Sequence, residues 1–121
     1  MRQGRDDDDL KVAIIGTRDT PDNIYIKVFA HVPQGTSEIV SGGSEGVDRA
    51  AEQVAEALAL PIRRFLPDYS AYGKRAPIVR NGLIVDYCDS LLAFWDGSSR
   101  GTGYTIAQCV KRGKPVRIIP I

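Results

Sequence analysis

The chain is poor in the residues that carry most recognisable chemistry: its 121 residues include two cysteines, one histidine, one tryptophan and one methionine. Cys88 and Cys109 show no CxxC or Cys/His spacing, so no zinc site is indicated. Both read as small buried apolar residues. His31 stands near the end of a predicted helix without a partner motif, which leaves a Ser-His-Asp mechanism little to stand on. No apolar run approaches the roughly 20 residues of a membrane span. The opening MRQGRDDDD has no apolar h-region, so no secretory signal is read and the cytoplasm is the expected location. No cofactor and no metal are implied.

An excess of either charge is missing too. The net charge is +1, and setting aside residues 1–9, with their four acids and two bases, leaves a net of +3. A protein built to grip duplex DNA carries a stronger basic patch, so nucleic acid is an unlikely partner on charge alone. Asp6 to Asp9 read as part of a disordered acidic lead over residues 1–10, followed by one domain over residues 11–121.

What is present is alternation. KVAIIG (11–16), EIV (38–40), IRRF (62–65), SLLAFW (90–95) and PVRIIPI (115–121) read as strands. Helical patterns stand between them: 21–31, opened by Thr20 as cap and Pro21 in the first turn, then 46–60, 78–87 and 102–113. PDYSAYGKRAP (67–77) reads as a polar loop. The two arginines in IRRF place that strand near an edge, and SLLAFW suits the sheet centre. Strands alternating with long helices argue for an α/β fold, a parallel five-stranded sheet with helices on both faces. Right-handed crossovers favour a doubly wound, Rossmann-like order 3-2-1-4-5.

In such a sheet, ligands sit beyond the carboxyl ends of the strands where the winding reverses, here between strands 1 and 4. All the unusual turns fall on that edge: Gly16-Thr17-Arg18, then Ser41-Gly42-Gly43-Ser44-Glu45-Gly46, then Asp96-Gly97-Ser98-Ser99-Arg100-Gly101-Thr102. Glycines between strand and helix let backbone approach a ligand, and amides at a helix start favour phosphate. Asp48, in the first turn of its helix, can cap amides or accept from sugar hydroxyls. GGSEG is neither GxGxxG nor a Walker sequence, so no named fingerprint applies. Arg80 reads either as part of a solvated helix face or as a cation reaching over the crevice. Trp95 reads as core or pocket wall, and Tyr69 and Tyr72 as stacking or surface residues.

GTR, SGGSEGVDRAAEQVA, PDYSAYGKRAPIVRN and LLAFWDGSSRGTGYTI, in that order, resemble the YspA-like branch of the SLOG superfamily. That superfamily also contains the Lonely Guy phosphoribohydrolases and the DNA-processing protein of bacterial transformation. The resemblance spans residues 11–119 and implies a Rossmann-like domain that binds a nucleotide or nucleotide-derived phosphate ligand, as a sensor or carrier, in a chain that forms a homodimer. The ligand positions it implies are Gly16, Thr17 and Arg18; Ser41, Gly42, Gly43, Gly46 and Asp48; Arg80 and Asn81; and Ser99, Gly101 and Thr102. Phosphoribohydrolases of the Lonely Guy type carry PGGxGTxxE, whose glutamate assists N-glycosidic cleavage. Here Tyr104 or Thr105 stands at the glutamate position. Asp48 or Glu45 would have to supply the acid if a nucleoside 5′-monophosphate is hydrolysed. Binding without chemistry is therefore the leading expectation, hydrolysis the alternative, and single-stranded nucleic-acid binding the third.

Overall fold

A computed structural model describes residues 9–121, which form a five-stranded parallel sheet in the order β3-β2-β1-β4-β5. The strands are β1 (Leu10–Gly16), β2 (Thr36–Ser41), β3 (Ile62–Arg64), β4 (Ser90–Trp95) and β5 (Val116–Pro120). The helices are α1 (Ile24–His31), α2 (Val47–Ala57), α3 (Tyr69–Tyr72), α4 (Ala76–Tyr87) and α5 (Arg100–Lys111). Topology and strand order agree with the sequence reading. The expected acidic lead falls largely on residues 1–8, outside the described residues. Leu10, assigned to the lead by the sequence, opens β1 and donates its N–H to Gly35 O at 3.2 Å.

The central strands are apolar without interruption because both sheet faces are covered. Val12 and Ile14 of β1, Ile39 of β2 and Leu92 and Phe94 of β4 join Val28 of α1 and the Val47–Ala50–Ala51–Val54–Ala55 stripe of α2 in one core. Ala13 and Ile15, Val40, and Leu91 and Ala93 point the opposite way, into a second core with Ile84 and Val85 of α4 and Ile106 and Cys109 of α5. The buried positions of α2 recur at spacings of three and four, as an amphipathic helix requires. Cys88 and Cys109 are buried and unbridged, as read from the sequence. Among the described residues, no helix is long and apolar enough to cross a membrane.

Two local expectations are corrected. The first helix starts at Ile24, not Pro21, and Thr20 does not cap it: the cap is Asn23, which makes no side-chain capping bond. Pro21 instead begins a turn, its carbonyl accepting from Ile24 N at 3.1 Å. The segment expected as a loop over 67–77 is mostly helical. Asp68 caps α3 by accepting from Ala71 N at 3.1 Å, Gly73–Arg75 make a 3₁₀ turn, and α4 starts at Ala76. Pro77 is tolerated because the amide it lacks is one that the first helical turn leaves unbonded.

Candidate functional site

A cleft of about 420 Å³ opens at the carboxyl ends of β1 and β4, where the winding direction reverses. Its walls come from three segments: Gly16 to Asp19 after β1, Asp96, Ser99, Gly101, Thr102 and Thr105 after β4, and Pro77, Arg80, Asn81 and Ile84 of α4. Ser44 and Asp48 close the side toward β2. Of the residues singled out in the sequence, Gly16, Thr17, Arg18, Asp48, Arg80, Asn81, Ser99, Gly101 and Thr102 line this space. Ser41, Gly42, Gly43 and Gly46 do not line it, and Glu45 lines a separate shallow depression with Gly43, Arg49 and Glu52.

The turn after β4 is fixed by Asp96. Its carboxylate accepts from Ser98 N at 2.9 Å, Ser99 N at 2.8 Å and Ser99 Oγ at 3.1 Å. Those donors hold the Asp96 carboxyl well below the usual range, at about 2. Asp96 N in turn donates to Thr17 Oγ1 at 3.1 Å, locking this turn to the one after β1. Trp95 is a supporting wall: its Nε1 donates to Ser99 O at 2.9 Å, and its ring packs under Gly103. With Asp96 spent on Ser98 and Ser99, no side chain caps α5. The amides that open a helix lack intrahelical partners, so those of Gly101 and Thr102 are left for the cleft. Thr102 is buried, and its hydroxyl bonds to no described protein atom.

The turn after β2 is organised differently from the one after β4. Gly43 N donates to Ser41 Oγ at 3.1 Å, and Ser44 N donates to Asp48 Oδ2 at 3.2 Å. The Gly42 amide also bears on the Asp48 carboxylate. The Gly42, Gly43 and Ser44 amides therefore face the chain's own oxygens. Ser41 in turn donates its hydroxyl to Glu52 Oε2 at 2.9 Å. Gly42 is confined by close approach: a Cβ there would lie 2.8 Å from both Arg80 Nη1 and Asp48 Oδ2. Gly46, at φ +75°, packs so tightly on the β1 turn that a Cβ would sit 2.6 Å from Thr17 O.

Arg80 is not on a solvated face. It is buried, and burial lowers its pKa from the ordinary value, with Asp48 opposing that change. Nε donates to Asn81 Oδ1 at 2.8 Å, while Nη1 donates to Gly42 O and to Phe65 O at 3.3 Å. Nη2 is left with no described protein acceptor. Asp48 is buried at 6% exposure, and desolvation pushes its carboxyl up to about 6 against the pull of the Ser44 amide and Arg80. Thr105, at the position of the phosphoribohydrolase glutamate, donates its hydroxyl to Gly101 O at 2.9 Å and is spent on its own helix. His31 is away from the cleft, bonded through Nδ1 to Lys27 O at 2.7 Å with its ring edge-on to Phe94. Among the described residues, no group of three or more His, Cys, Asp or Glu could hold a metal ion.

Sequence reasoning passed over Asp19, Ser44, Pro77 and the anchoring part of Asp96. Only Asp96 carried a usable signal: an Asp two and three residues before amides it can accept from, in a Gly-Ser turn.

No protein-family model matches the chain, and no curated protein matches it in sequence. Its fold is shared with solved structures of DNA processing protein A. The Streptococcus pneumoniae protein superposes with a TM-score of 0.78 at 19% identity, over 93% of this chain and 50% of that one. The Helicobacter pylori protein, which binds single-stranded DNA, superposes with a TM-score of 0.67 at 24% identity, over 93% of this chain and 66% of that one. The chain thus spans about half to two thirds of the length of these neighbours. What they share with it is the Rossmann-like architecture.

Proposed function

We propose that the protein binds a phosphate-bearing nucleotide in the β1/β4 cleft and acts as a binding domain, a sensor or carrier. The observation that carries this reading is the set of unspent donors on one rim. Among the described residues the Thr102 hydroxyl and the first amides of α5 have no partner, and Arg80, held by three acceptors, keeps Nη2 without one. Amides at a helix start together with an immobilised guanidinium are the donors a phosphate needs. A cleft of about 420 Å³ lies within the range of small-ligand pockets.

A thermal-shift screen against nucleotides tests the reading. Ligand at about 100 times its dissociation constant stabilises by roughly 2.7 kcal/mol, and a screen in which no nucleotide moves the melting temperature overturns it. Thr102→Val keeps the shape and removes the hydroxyl. Binding is expected to weaken about tenfold or more, by roughly 1.5–3 kcal/mol for a hydrogen bond to a charged group, with the melting temperature of the free protein little changed.

Single-stranded nucleic acid is the second reading, favoured by the fold shared with DNA processing protein A and by exposed Tyr69, Tyr72, Lys74 and Arg75 on the segment leading into α4. Aromatic rings beside basic side chains suit stacked bases and their phosphates. N-glycoside hydrolysis would rest on Asp48, since Glu45 lies outside the cleft. Released base in the same incubations, lost in Asp48→Ala, would establish it.

A further inference from the structure

The two edges of the sheet are finished differently. β3 has three residues, two of them the exposed Arg63 and Arg64, which suits an edge that repels a further strand. β5 has five residues and joins only β4. Pro115 O accepts from Leu91 N at 3.0 Å, and Ile121 N donates to Trp95 O at 3.1 Å. Successive residues of a strand turn their main-chain groups to alternate sides. Arg117 and Ile119 therefore face β4 as well, while the N–H and C=O of Val116 and Ile118 and the C=O of Pro120 face outward. Among the described residues only Lys27 reaches this row, its Nζ donating to Pro120 O at 3.4 Å. Apolar side chains flank the edge. Ile118, 47% exposed, lies on the same sheet face as Val116, which packs against the core beneath α4 and α5. Val110, 63% exposed, lies on the flank of α5 turned away from α4, the opposite flank being tied to α4 by Arg112 on Asp86 at 2.8 Å.

We propose that a second copy of the chain docks on this edge, β5 against β5 in antiparallel, with Ile118 opposite Ile118 and the two five-stranded sheets running on as one. A two-fold contact of this kind is self-complementary, so one edge supplies both sides. The two Ile118 residues exchange their N–H and C=O, and each Val116 N–H meets the other copy's Pro120 C=O. Side chains select this register over its neighbours. Centred on Ile118, the pairing sets apolar against apolar on the α5 face and puts each Arg117 across from the other copy's Ile119. Slid by one residue toward Arg117, it would oppose the two guanidiniums directly, which destabilises a strand pair. Slid the other way, it would set Ile118 against Pro120 and forfeit half of that pair's hydrogen bonds, because proline has no N–H. Five residues a side make a small interface, below the roughly 1,200 Å² of standard ones, so association is expected at about micromolar strength or weaker. The pairing is independent of what the cleft binds.

The test is sedimentation velocity on the full chain from about 1 to about 500 μM, where the wild-type protein is expected to pass from monomer to dimer. Ile118→Lys and Ile118→Glu each set like charges directly opposite one another, and each is expected to weaken association about tenfold or more. Mixed in equal amounts, the two variants bring opposite charges together across the axis and are expected to dimerise again. A wild-type chain that stays monomeric throughout overturns the proposal. So does a dimer that persists unchanged in both variants, or a mixture that stays monomeric. Val110→Lys, outside the strand, serves should the Ile118 variants fail to fold: a weakened dimer supports the edge pairing and an unchanged one overturns it.

Discussion

Asp48 carries the clearest residue-scale consequence. Its carboxyl sits at about 6 in the folded protein because burial disfavours the charged form, against an ordinary value of 3.8. The folded state therefore holds a proton that the unfolded state has released between those values, so this group's contribution to stability rises as pH falls from about 7 to about 4. The full effect is about 3 kcal/mol. Asp96 works in the opposite sense in a lower window: its depressed carboxyl supports the fold above about 4, and that support is lost as pH falls toward 2. Urea midpoints are expected to rise from pH 7 to pH 4.5 in the wild-type protein and to stay flat in Asp48→Asn. A wild-type midpoint that falls over this range would contradict the assignment. That Asp48 would stand at the edge of the cleft was legible in its place after SGGSEG. That Arg80 would stand beside its carboxyl was not, because that residue, on α4, reaches it only through tertiary contact.

At the scale of the elements, two junctions brace the framework around the cleft. Gly46 joins the β1 turn to the start of α2, with Val47 N donating to Thr17 O at 3.3 Å. Gly46→Ala puts a methyl into the Thr17 and Arg18 carbonyls at a positive φ and is expected to cost about 1–3 kcal/mol or more, read as a lowered melting temperature and weaker ligand binding together. The second junction is Lys114, whose Nζ donates to Val85 O at 2.7 Å, Asp86 O at 2.9 Å and Cys88 O at 2.8 Å, closing the carboxyl end of α4. A cation there also opposes the helix dipole. Lys114→Met is expected to destabilise by about 1–3 kcal/mol, visible in denaturant midpoints, with the cleft residues still in place. The strands β1 and β4 were legible because unbroken apolar runs are what a twice-covered sheet demands. The four-residue α3 was not, since one turn held by the Asp68 cap leaves no periodicity to read. The start of α1 was misplaced because Pro21 serves a turn as well as it serves a helix.

For the whole molecule, the alternation of strand and helix was enough to give the sheet order, and the order alone placed the cleft between β1 and β4. Charge adds a distinction at the same scale. With a net of +3 beyond residue 9, a mononucleotide seated on one rim is expected to lose less than about threefold in affinity between 50 and 200 mM salt. A single strand crossing Lys74 and Arg75 would show a slope of about −0.7 per phosphate contact in log–log form, so one titration series separates the two readings. The parallel sheet also sorts the start of β1 from the residue after β5. Leu10 enters at the amino edge, whereas Ile121 leaves at the carboxyl edge with its N–H on Trp95 O at 3.1 Å, one residue from the Asp96 turn. A tag or fused partner attached behind Ile121 would therefore crowd the mouth of the cleft, whereas the start of β1 at Leu10 lies on the opposite edge of the sheet, away from a ligand's approach.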